Sequence, residues 1–185
     1  SVEHQWLLKF VAHRVADRRV LRLVEQTLAA GVMEDGQWHP TKSGTPQGGV
    51  LSPLLANIYL HYSLDLWVDA WRKRYARGEV YIVRYADDAV LGFQYQGDAM
   101  RLKAALAQRL AKFSLQLHPE KTRLIEFGRF AAQNRAKRKE GKPETFAFLG
   151  FTHICGKRRS DGRYAVHRTT ERRRLRDFAA DLKEW

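Results

Sequence analysis

Apolar residues recur at helical spacing along the first part of the chain. Residues 3–15 carry apolar side chains three and four positions apart, which predicts an amphipathic helix. Asp17 is a favourable N-cap for a second helix with the same period. The Ser52-Pro53 step combines a capping side chain with proline at the first helical position. It therefore predicts the start of a third helix, which runs toward Gly78.

Two β-rich segments follow, and they flank a pair of aspartates. EVYIVRY (79–85) and AVLGFQY (89–95) are rich in aromatic and β-branched residues. This composition predicts a hairpin with Asp87 and Asp88 at its tip. Residues 98–113 return to helical spacing and predict an amphipathic helix.

The last third of the chain alternates between strand and loop patterns. LQLHPEKTRLIEF (115–127) predicts two strands joined by a turn at its His-Pro step. Residues 129–144 are polar and basic, and we expect a loop. TFAFLGFTHIC (145–155) and RYAVHR (163–168) predict a second hairpin, and residues 169–185 predict a basic helix.

Helices and hairpins mixed in this order predict an α+β domain, with an antiparallel sheet that carries helices on one face. The length of 185 residues fits one domain, or one domain with a fragment of a second, and a hydrophobic content of 44% supports a core. No apolar run reaches the length of a membrane span, so we expect no membrane partner. The single cysteine, Cys155, excludes an internal disulfide framework and is simplest to reconcile with a cytoplasmic location.

The net charge of +13 is concentrated in the last third. From Glu120 onward, 18 lysines and arginines face 9 aspartates and glutamates. A field of this size favours an anionic polymer as partner, and nucleic acid is the commonest one. The alternative is a soluble protein with a high isoelectric point.

Asp87 and Asp88 place two like charges side by side, although a turn does not need both. A divalent cation would offset their repulsion, and Mg²⁺ usually takes one or two protein carboxylates together with substrate phosphates. Two such ions, about 3.5–4 Å apart, activate the attacking oxygen and stabilise the leaving oxygen in phosphoryl transfer. The pair therefore predicts a Mg²⁺ site, and its position between two strands strengthens that prediction.

The second chemical feature is GTPQGGVLSPLLANIYL (44–60). Its glycines permit close approach of a ligand, and the loop leads into a helix N-terminus, which favours phosphate. Gln47 offers hydrogen bonds to a base, a sugar or the backbone. The alternative is an ordinary glycine-rich connector.

Taken together, GTPQGGVLSPLLANIYLHYSLDLW and VRYADDAVLGF resemble the reverse transcriptase domain of group II intron-encoded reverse transcriptase/maturases. LHPEKTRLIEFGRFA and PETFAFLGFTHIC resemble later segments of that family, and SVEHQWLLKFVAHRVADRRVLRLV resembles the helical stretch after its first catalytic motif. The resemblance covers nearly the whole chain, in order.

The resemblance implies roles for the matching positions. Asp87 and Asp88 match the catalytic, metal-binding aspartates of the polymerase palm. Lys121 matches the position suggested to meet the pyrophosphate leaving group as a cation or general acid, with a solvated lysine before a strand as the alternative. The nucleotide- and template-binding positions are Gly44, Pro46, Gln47, Gly48, Gly49 and Tyr85, and the primer-supporting positions, which are also candidates for the core, are Phe148, Leu149 and Gly150.

The resemblance also implies a domain organisation and partners. Residues 1–168 would form a partial palm that lacks the first catalytic strand and the fingers, and residues 169–185 would begin a basic thumb helix. The family's further catalytic aspartate would precede Ser1, so we expect this chain alone not to polymerise. An intact bacterial member would copy RNA into DNA with Mg²⁺ and deoxynucleoside triphosphates, bind its intron RNA and a primer–template, and assist splicing.

Three basic clusters, RAKRKEGK (135–142), GKRRSDGR (156–163) and ERRRLR (171–176), predict phosphate contacts. The alternative is a solvated face. The candidate RNA-binding residues are Arg135, Lys137, Arg138, Arg158, Arg159, Arg172, Arg173 and Arg174.

Two other functions stay open at this point. The first is an RNA-binding maturase-type splicing factor without polymerase activity. The second is another palm-like nucleotidyl transferase or cyclase, although nothing in that class explains GTPQGGVLSPLLANIYL.

Overall fold

The computed structural model describes residues 2–30 and 51–182, together with the backbone of two short antiparallel strands, β1 (Val32–Glu34) and β2 (Gln37–His39). The chain divides into two compact units, Ser1–Thr122 and Arg123–Trp185. Among the described residues, the structure mixes helices with antiparallel strands, as predicted. The strands form separate small sheets and not the single sheet that we expected.

The first unit begins with the two predicted helices, α1 (His4–Ala12) and α2 (Arg18–Ala29). Asp17 is the N-cap of α2, because its carboxylate accepts a hydrogen bond of 2.8 Å from the Arg19 backbone N–H. The apolar stripes of both helices face a shared core, which confirms the periodicity argument.

The third predicted helix is continuous but changes its winding partway along. It comprises α3 (Ser52–Leu60), a π-helical turn (His61–Asp65) and α4 (Leu66–Tyr75). Ser52 was predicted as the N-cap, and this was wrong by one residue. Leu51 occupies the cap, so Ser52 is the first helical residue and Pro53 still lies in the first turn.

The predicted hairpin is confirmed as β3 (Val80–Tyr85) paired with β4 (Asp88–Phe93). Its side chains alternate, as the strand period requires. Ile82, Leu91 and Phe93 pack toward the helices, whereas the opposite face is exposed. The helix α5 (Gln96–Ala111) lies behind this hairpin, where the sequence predicted it.

Two hydrophobic clusters hold the first unit together. One joins α1, α2 and α3 to the end of α5, and the other joins the π turn, α4 and α5 to the hairpin. Their buried members are Leu7, Val11, Val24, Leu28, Leu55, Tyr59 and Phe113, and Leu64, Val68, Trp71, Leu102, Leu106 and Leu110.

The predicted strands over 115–127 are wrong, because this described segment contains no strand. The alternating residues Leu115 and Leu117 are partly buried against the helical core instead of pairing with a neighbouring strand. The predicted turn is present, since the Thr122 N–H donates to the His118 carbonyl.

The second unit begins with a short helix where a loop was predicted. This helix, α6 (Ala131–Lys137), contains a buried Ala131 under an otherwise polar surface. Three ion pairs fold the polar segment onto itself, joining Arg138 to Glu126, Arg138 to Glu140 and Arg135 to Glu140. A prediction based on hydrophobic periodicity does not detect ion pairs of this kind.

The rest of this unit is a three-stranded antiparallel sheet and a helix. The order is β5 (Phe146–Phe148), β6 (Phe151–Lys157) and β7 (Tyr164–Thr170). The β6–β7 hairpin is confirmed, but a tight turn divides the segment predicted as its first strand into β5 and β6.

The last helix, α7 (Arg172–Asp181), follows β7. The basic helix predicted over 169–185 begins later than expected, because β7 extends to Thr170. The assignment of the two parts to palm and thumb stays a prediction. None of the helices in the described ranges is long and apolar enough to cross a bilayer.

Candidate active site

The paired aspartates lie at the tip of the β3–β4 hairpin. Tyr85 faces Asp88 in the last pair of the ladder, so Ala86 and Asp87 form a two-residue turn. Ala86 adopts a φ of 51°, in the left-handed region. That conformation costs a non-glycine residue about 1–2 kcal/mol. The turn is therefore a strained position that its surroundings must hold in place.

Among the residues that the structure describes, neither carboxylate at this tip has a partner. Asp87 and Asp88 are both exposed, and no described residue makes a hydrogen bond or ion pair with either side chain. Other acids of the same unit behave differently: Asp69 binds Arg72 and Lys73, and Asp98 binds Arg101. In a chain with a net charge of +13, two adjacent acids that no described cation neutralises are a favourable place for an external cation.

The tip fits a cation that completes its coordination elsewhere. In the described part of the chain, no group of three or more His, Cys, Asp or Glu side chains forms a metal cluster. In proteins, Mg²⁺ is usually bound by one or two carboxylates, and phosphates and water supply its other ligands. The donor set at Asp87 and Asp88 therefore suits Mg²⁺ in the presence of a phosphate-bearing substrate.

Arg84, the residue before Tyr85, is anchored beneath this turn. Its guanidinium binds both carboxylate oxygens of Asp65, with Nε–Oδ1 and Nη2–Oδ2 distances of 2.8 and 2.7 Å. Its Nη1 also donates to Asn57 Oδ1 and to the Ala86 carbonyl, each at 2.7 Å. The hydrogen bonds to Asp65 raise the pKa of Arg84, so its charge is secure. A hydrogen bond from a charged donor contributes about 1.5–3 kcal/mol, which is comparable to the strain at Ala86.

Tyr85 lies on the exposed face of the hairpin together with Tyr81 and Val83. These three side chains are 66%, 58% and 56% exposed. The ladder puts Tyr85 opposite Asp88, so the ring and the second carboxylate share this face. The predicted nucleotide-binding position thus borders the acidic tip.

The glycine-rich positions Gly44, Pro46, Gln47, Gly48 and Gly49 lie outside the described residues. The helix that follows them is described, and it adjoins the hairpin because Asn57 of α3 binds Arg84. The described part of the second motif, α3, therefore contacts the hairpin through Asn57.

Lys121 lies in the exposed turn after α5 and is not followed by a strand. Lys103 of α5 donates to the Thr122 carbonyl at 3.4 Å, which ties this turn to the helix. Among the described contacts, no hydrogen bond or ion pair joins Lys121 to Asp87 or Asp88. Its role at the leaving group stays a prediction.

The primer-supporting positions form the β5–β6 turn of the second unit. Phe148 faces Phe151, and Leu149 and Gly150 are the turn residues, with φ values of 53° and 78°. Positive φ at both positions is typical of a type I′ hairpin turn, which explains the glycine. The Arg174 guanidinium lies so close to Gly150 that an added Cβ would be 2.5 Å from its Nη1.

The predicted RNA-binding residues fall into two groups. Arg135 and Arg138 are engaged by carboxylates, and hydrogen bonds to Glu140 and Glu126 raise the pKa of Arg138. The other candidates are exposed, and within the described residues their ion pairs are absent or as long as 3.9 Å. This second group comprises Lys137, Arg158, Arg159, Arg172, Arg173 and Arg174.

Sequence reasoning missed Arg84, Asp65 and Asn57. One indication was available in the strand period. Alternation puts residue 84 on the same face as Ile82, and a charged residue on an inward face implies a buried partner. The identity of that partner depends on how α3, the π turn and the hairpin pack.

Comparison with known proteins places these features in one family. The family described as Reverse transcriptase (RNA-dependent DNA polymerase) matches residues 1–153. The group II intron-encoded protein LtrA of Lactococcus lactis subsp. cremoris is 43% identical over 77 residues, which is 42% of this chain and 13% of LtrA. Protein YkfC of Escherichia coli K12 is 30% identical over 212 aligned positions, covering 98% of this chain and 51% of YkfC.

A third relative is a 91 kDa protein in the cob intron of Schizosaccharomyces pombe, 36% identical over 69 residues that make up 37% of this chain and 8% of the relative. The chain thus spans about half of YkfC and much smaller parts of the two intron proteins. On the match across residues 1–153, this chain belongs to the reverse transcriptase family, with group II intron-encoded proteins among its relatives.

Proposed function

We propose that this chain carries the metal-binding carboxylates of an RNA-directed DNA polymerase from a group II intron-encoded protein. One observation carries the proposal: Asp87 and Asp88 are exposed and have no described partner, at a hairpin tip that is anchored to the helix after the glycine-rich segment. The reverse transcriptase family match supports the reaction class.

The chemistry would be two-metal nucleotidyl transfer. Mg²⁺, when bound, supplies positive charge to the phosphates of the incoming nucleotide. Asp87 and Asp88 would hold the cation, and Tyr85 would present its ring to the nucleotide on the same face. Lys121 would supply a cation or a proton at the leaving group.

The proposed partners follow from the same family resemblance. Gly44, Pro46, Gln47, Gly48 and Gly49 would line the nucleotide and template, and the Phe148–Gly150 turn would support the primer end. Deoxynucleoside triphosphates, an RNA template with its primer, and the intron RNA are the proposed ligands. The proposal assigns metal and nucleotide binding to this chain and does not include primer extension by the chain alone.

Manganese titration followed by NMR tests the metal site directly. Mn²⁺ replaces Mg²⁺ at oxygen sites and broadens nearby amide signals. We expect broadening centred on residues 85–90, abolished by Asp87→Asn with Asp88→Asn. Glu79→Gln, at the opposite end of the same hairpin, is the matched control and should bind as the wild type does. Broadening that is spread over the surface, or that survives in the double variant, would contradict the proposal.

A second candidate function is RNA binding without polymerase activity, as in a maturase-type splicing factor. One group of exposed basic residues in the second unit favours it, because among the described residues their ion pairs are absent or as long as 3.9 Å. This group comprises Lys137, Arg158, Arg159, Arg172, Arg173 and Arg174. The double variant Asp87→Asn with Asp88→Asn distinguishes the two candidate functions. If the chain carries a polymerase metal site, the double variant loses Mn²⁺ binding. Both candidate functions predict that its RNA affinity is unchanged. A chain that binds RNA but never a divalent ion supports the second alone.

A further inference from the structure

We infer that Arg84 is a positioning residue, which uses Asp65 and Asn57 to hold the Ala86–Asp87 turn in the conformation that presents the two carboxylates. The catalytic consequence of this inference rests on the proposed function. The claim that Arg84 holds the conformation of the turn does not rest on the proposed function, because it concerns only the backbone of the turn.

The geometry leaves little freedom to the guanidinium. Asp65 binds it along one edge through Nε and Nη2, at 2.8 and 2.7 Å, and such a two-point contact fixes the plane of the group. The remaining nitrogen, Nη1, then points to Asn57 and to the Ala86 carbonyl, at 2.7 Å each. The side chain of Arg84 is only 13% exposed, so water does not compete freely for these positions.

The two partners of Arg84 are themselves oriented. Asn57 donates from Nδ2 to the Pro53 carbonyl at 2.9 Å, and this bond directs its Oδ1 toward Arg84. Asp65 is the last residue of the π turn, where the extra residue changes the direction of the following side chains. Short π segments occur frequently at functional sites, and here the segment supplies the acid that holds Arg84.

The contact with Ala86 is the one that reaches the site. Ala86 is the first turn residue, its φ of 51° is unfavourable for alanine, and it directly precedes Asp87. A fixed donor at its carbonyl opposes relaxation of the peptide toward a commoner conformation. Relaxation would move the Asp87 carboxylate relative to Asp88, which begins β4.

Lysine cannot reproduce this arrangement. Its ammonium is a single point charge, whereas the observed contacts use three nitrogens held in one plane. Arg84→Lys therefore keeps the charge and removes the orientation. Arg72→Lys is a matched control, because Arg72 binds Asp69 and the Val80 carbonyl at the other end of the same strand.

The first measurement is ¹⁵N relaxation of the metal-free chain. We expect the amides of residues 86–88 to have order parameters of about 0.85 in the wild type and in Arg72→Lys. In Arg84→Lys, we expect these order parameters to fall below about 0.6. Asp65→Asn, which weakens the hold on the guanidinium, should shift the same amides in the same direction. Unchanged order parameters in a folded Arg84→Lys or Asp65→Asn chain would overturn the inference.

The second measurement is Mn²⁺ affinity of the same variants. Loss of a group that orients metal ligands typically weakens metal binding about tenfold or more. We expect that loss for Arg84→Lys, with unchanged stoichiometry, and no loss for Arg72→Lys. Equal affinities of the two variants would contradict the inference, whereas a wild-type chain that binds no Mn²⁺ would contradict the proposed function and leave the relaxation result standing.

Discussion

Asn57 accepts a hydrogen bond of 2.7 Å from Arg84, 27 residues further along the chain. The contact joins the helix after the glycine-rich segment to the strand that carries the paired aspartates. Asn57→Ala removes the acceptor but leaves the Arg84–Asp65 pair intact. Because the donor is a charged guanidinium, we expect the free energy of unfolding to fall by about 1.5–3 kcal/mol in urea denaturation. Gln26→Ala, at an exposed position of α2, serves as the control and should change it by less than about 0.5 kcal/mol.

The Tyr59 hydroxyl is buried in the first unit and donates to the Phe113 carbonyl at 2.8 Å. Tyr59→Phe leaves that carbonyl without this donor, so we expect a loss of about 1–3 kcal/mol in the free energy of unfolding. Tyr62→Phe is the matched change, because among the described residues the Tyr62 hydroxyl makes only a long contact of 3.4 Å with His13 Nδ1. If both substitutions lower the free energy of unfolding by the same amount, loss of the buried hydrogen bond does not explain the effect of Tyr59→Phe.

Asp98 makes the stability of the first unit depend on pH. The hydrogen bond from Arg101, followed by those from the Arg77 and Gly78 backbone N–H groups, lowers the pKa of this carboxyl below its ordinary value of 3.8. Because the folded-state pKa is lowered, the stabilisation is present above pH 3.8 and is lost as the pH falls through the folded-state value.

Thermal unfolding of Asp98→Asn across a pH series checks this dependence. We expect a lower Tm than that of the wild type at neutral pH, and a difference that narrows below about pH 4 as Asp98 itself becomes protonated. Glu25→Gln, at an exposed position of α2, is the control, and its Tm difference from the wild type should not narrow over the same pH range. A Tm difference that stays constant to about pH 2 would refute the assignment.

Alanine substitutions at Gly150 and Gly162 distinguish the cost of backbone strain from the cost of a steric clash. Both have positive φ, 78° and 68°, but an added Cβ meets Arg174 at Gly150 and open space at Gly162. We expect Gly162→Ala to cost about 1 kcal/mol from the left-handed backbone alone. Gly150→Ala should cost more and should shift the NMR signals of Arg174. Equal costs with no shift at Arg174 would show that the arginine does not lie against this turn.

The two groups of basic residues should differ in RNA binding. Lys137 and Arg159 are exposed without a described partner, whereas Arg138 is bound by Glu126 and Glu140. For single-stranded RNA, Lys137→Ala with Arg159→Ala should lower affinity and reduce the slope of log affinity against log salt by roughly 0.7 for each phosphate that is no longer neutralised. Arg138→Ala should leave the slope unchanged, provided that circular dichroism shows an intact fold. A salt-independent titration of the wild type would exclude phosphate contacts.

Local patterns anticipated the elements that define the candidate site. Segments rich in aromatic and β-branched residues on both sides of Asp87 and Asp88 predicted the hairpin, and periods of three and four residues predicted α1, α2 and α5. Such patterns succeed because side-chain direction in a helix or strand depends only on residues nearby in sequence. The same approach failed over 115–127, where Leu115 and Leu117 bury themselves against helices and find no strand to pair with.

The order of residues is enough to predict the helices and the β3–β4 hairpin of the first unit, the acidic tip and the family motifs that surround it. Packing of the folded chain selects the partners of the charged groups: Arg84 with Asp65 and Asn57, and Arg135 and Arg138 with nearby carboxylates. Those pairings depend on residues as far as 27 positions apart meeting in space. The physical reason is desolvation: a largely buried charge such as that of Arg84 is stable only beside a partner, and only the packed chain brings that partner within reach.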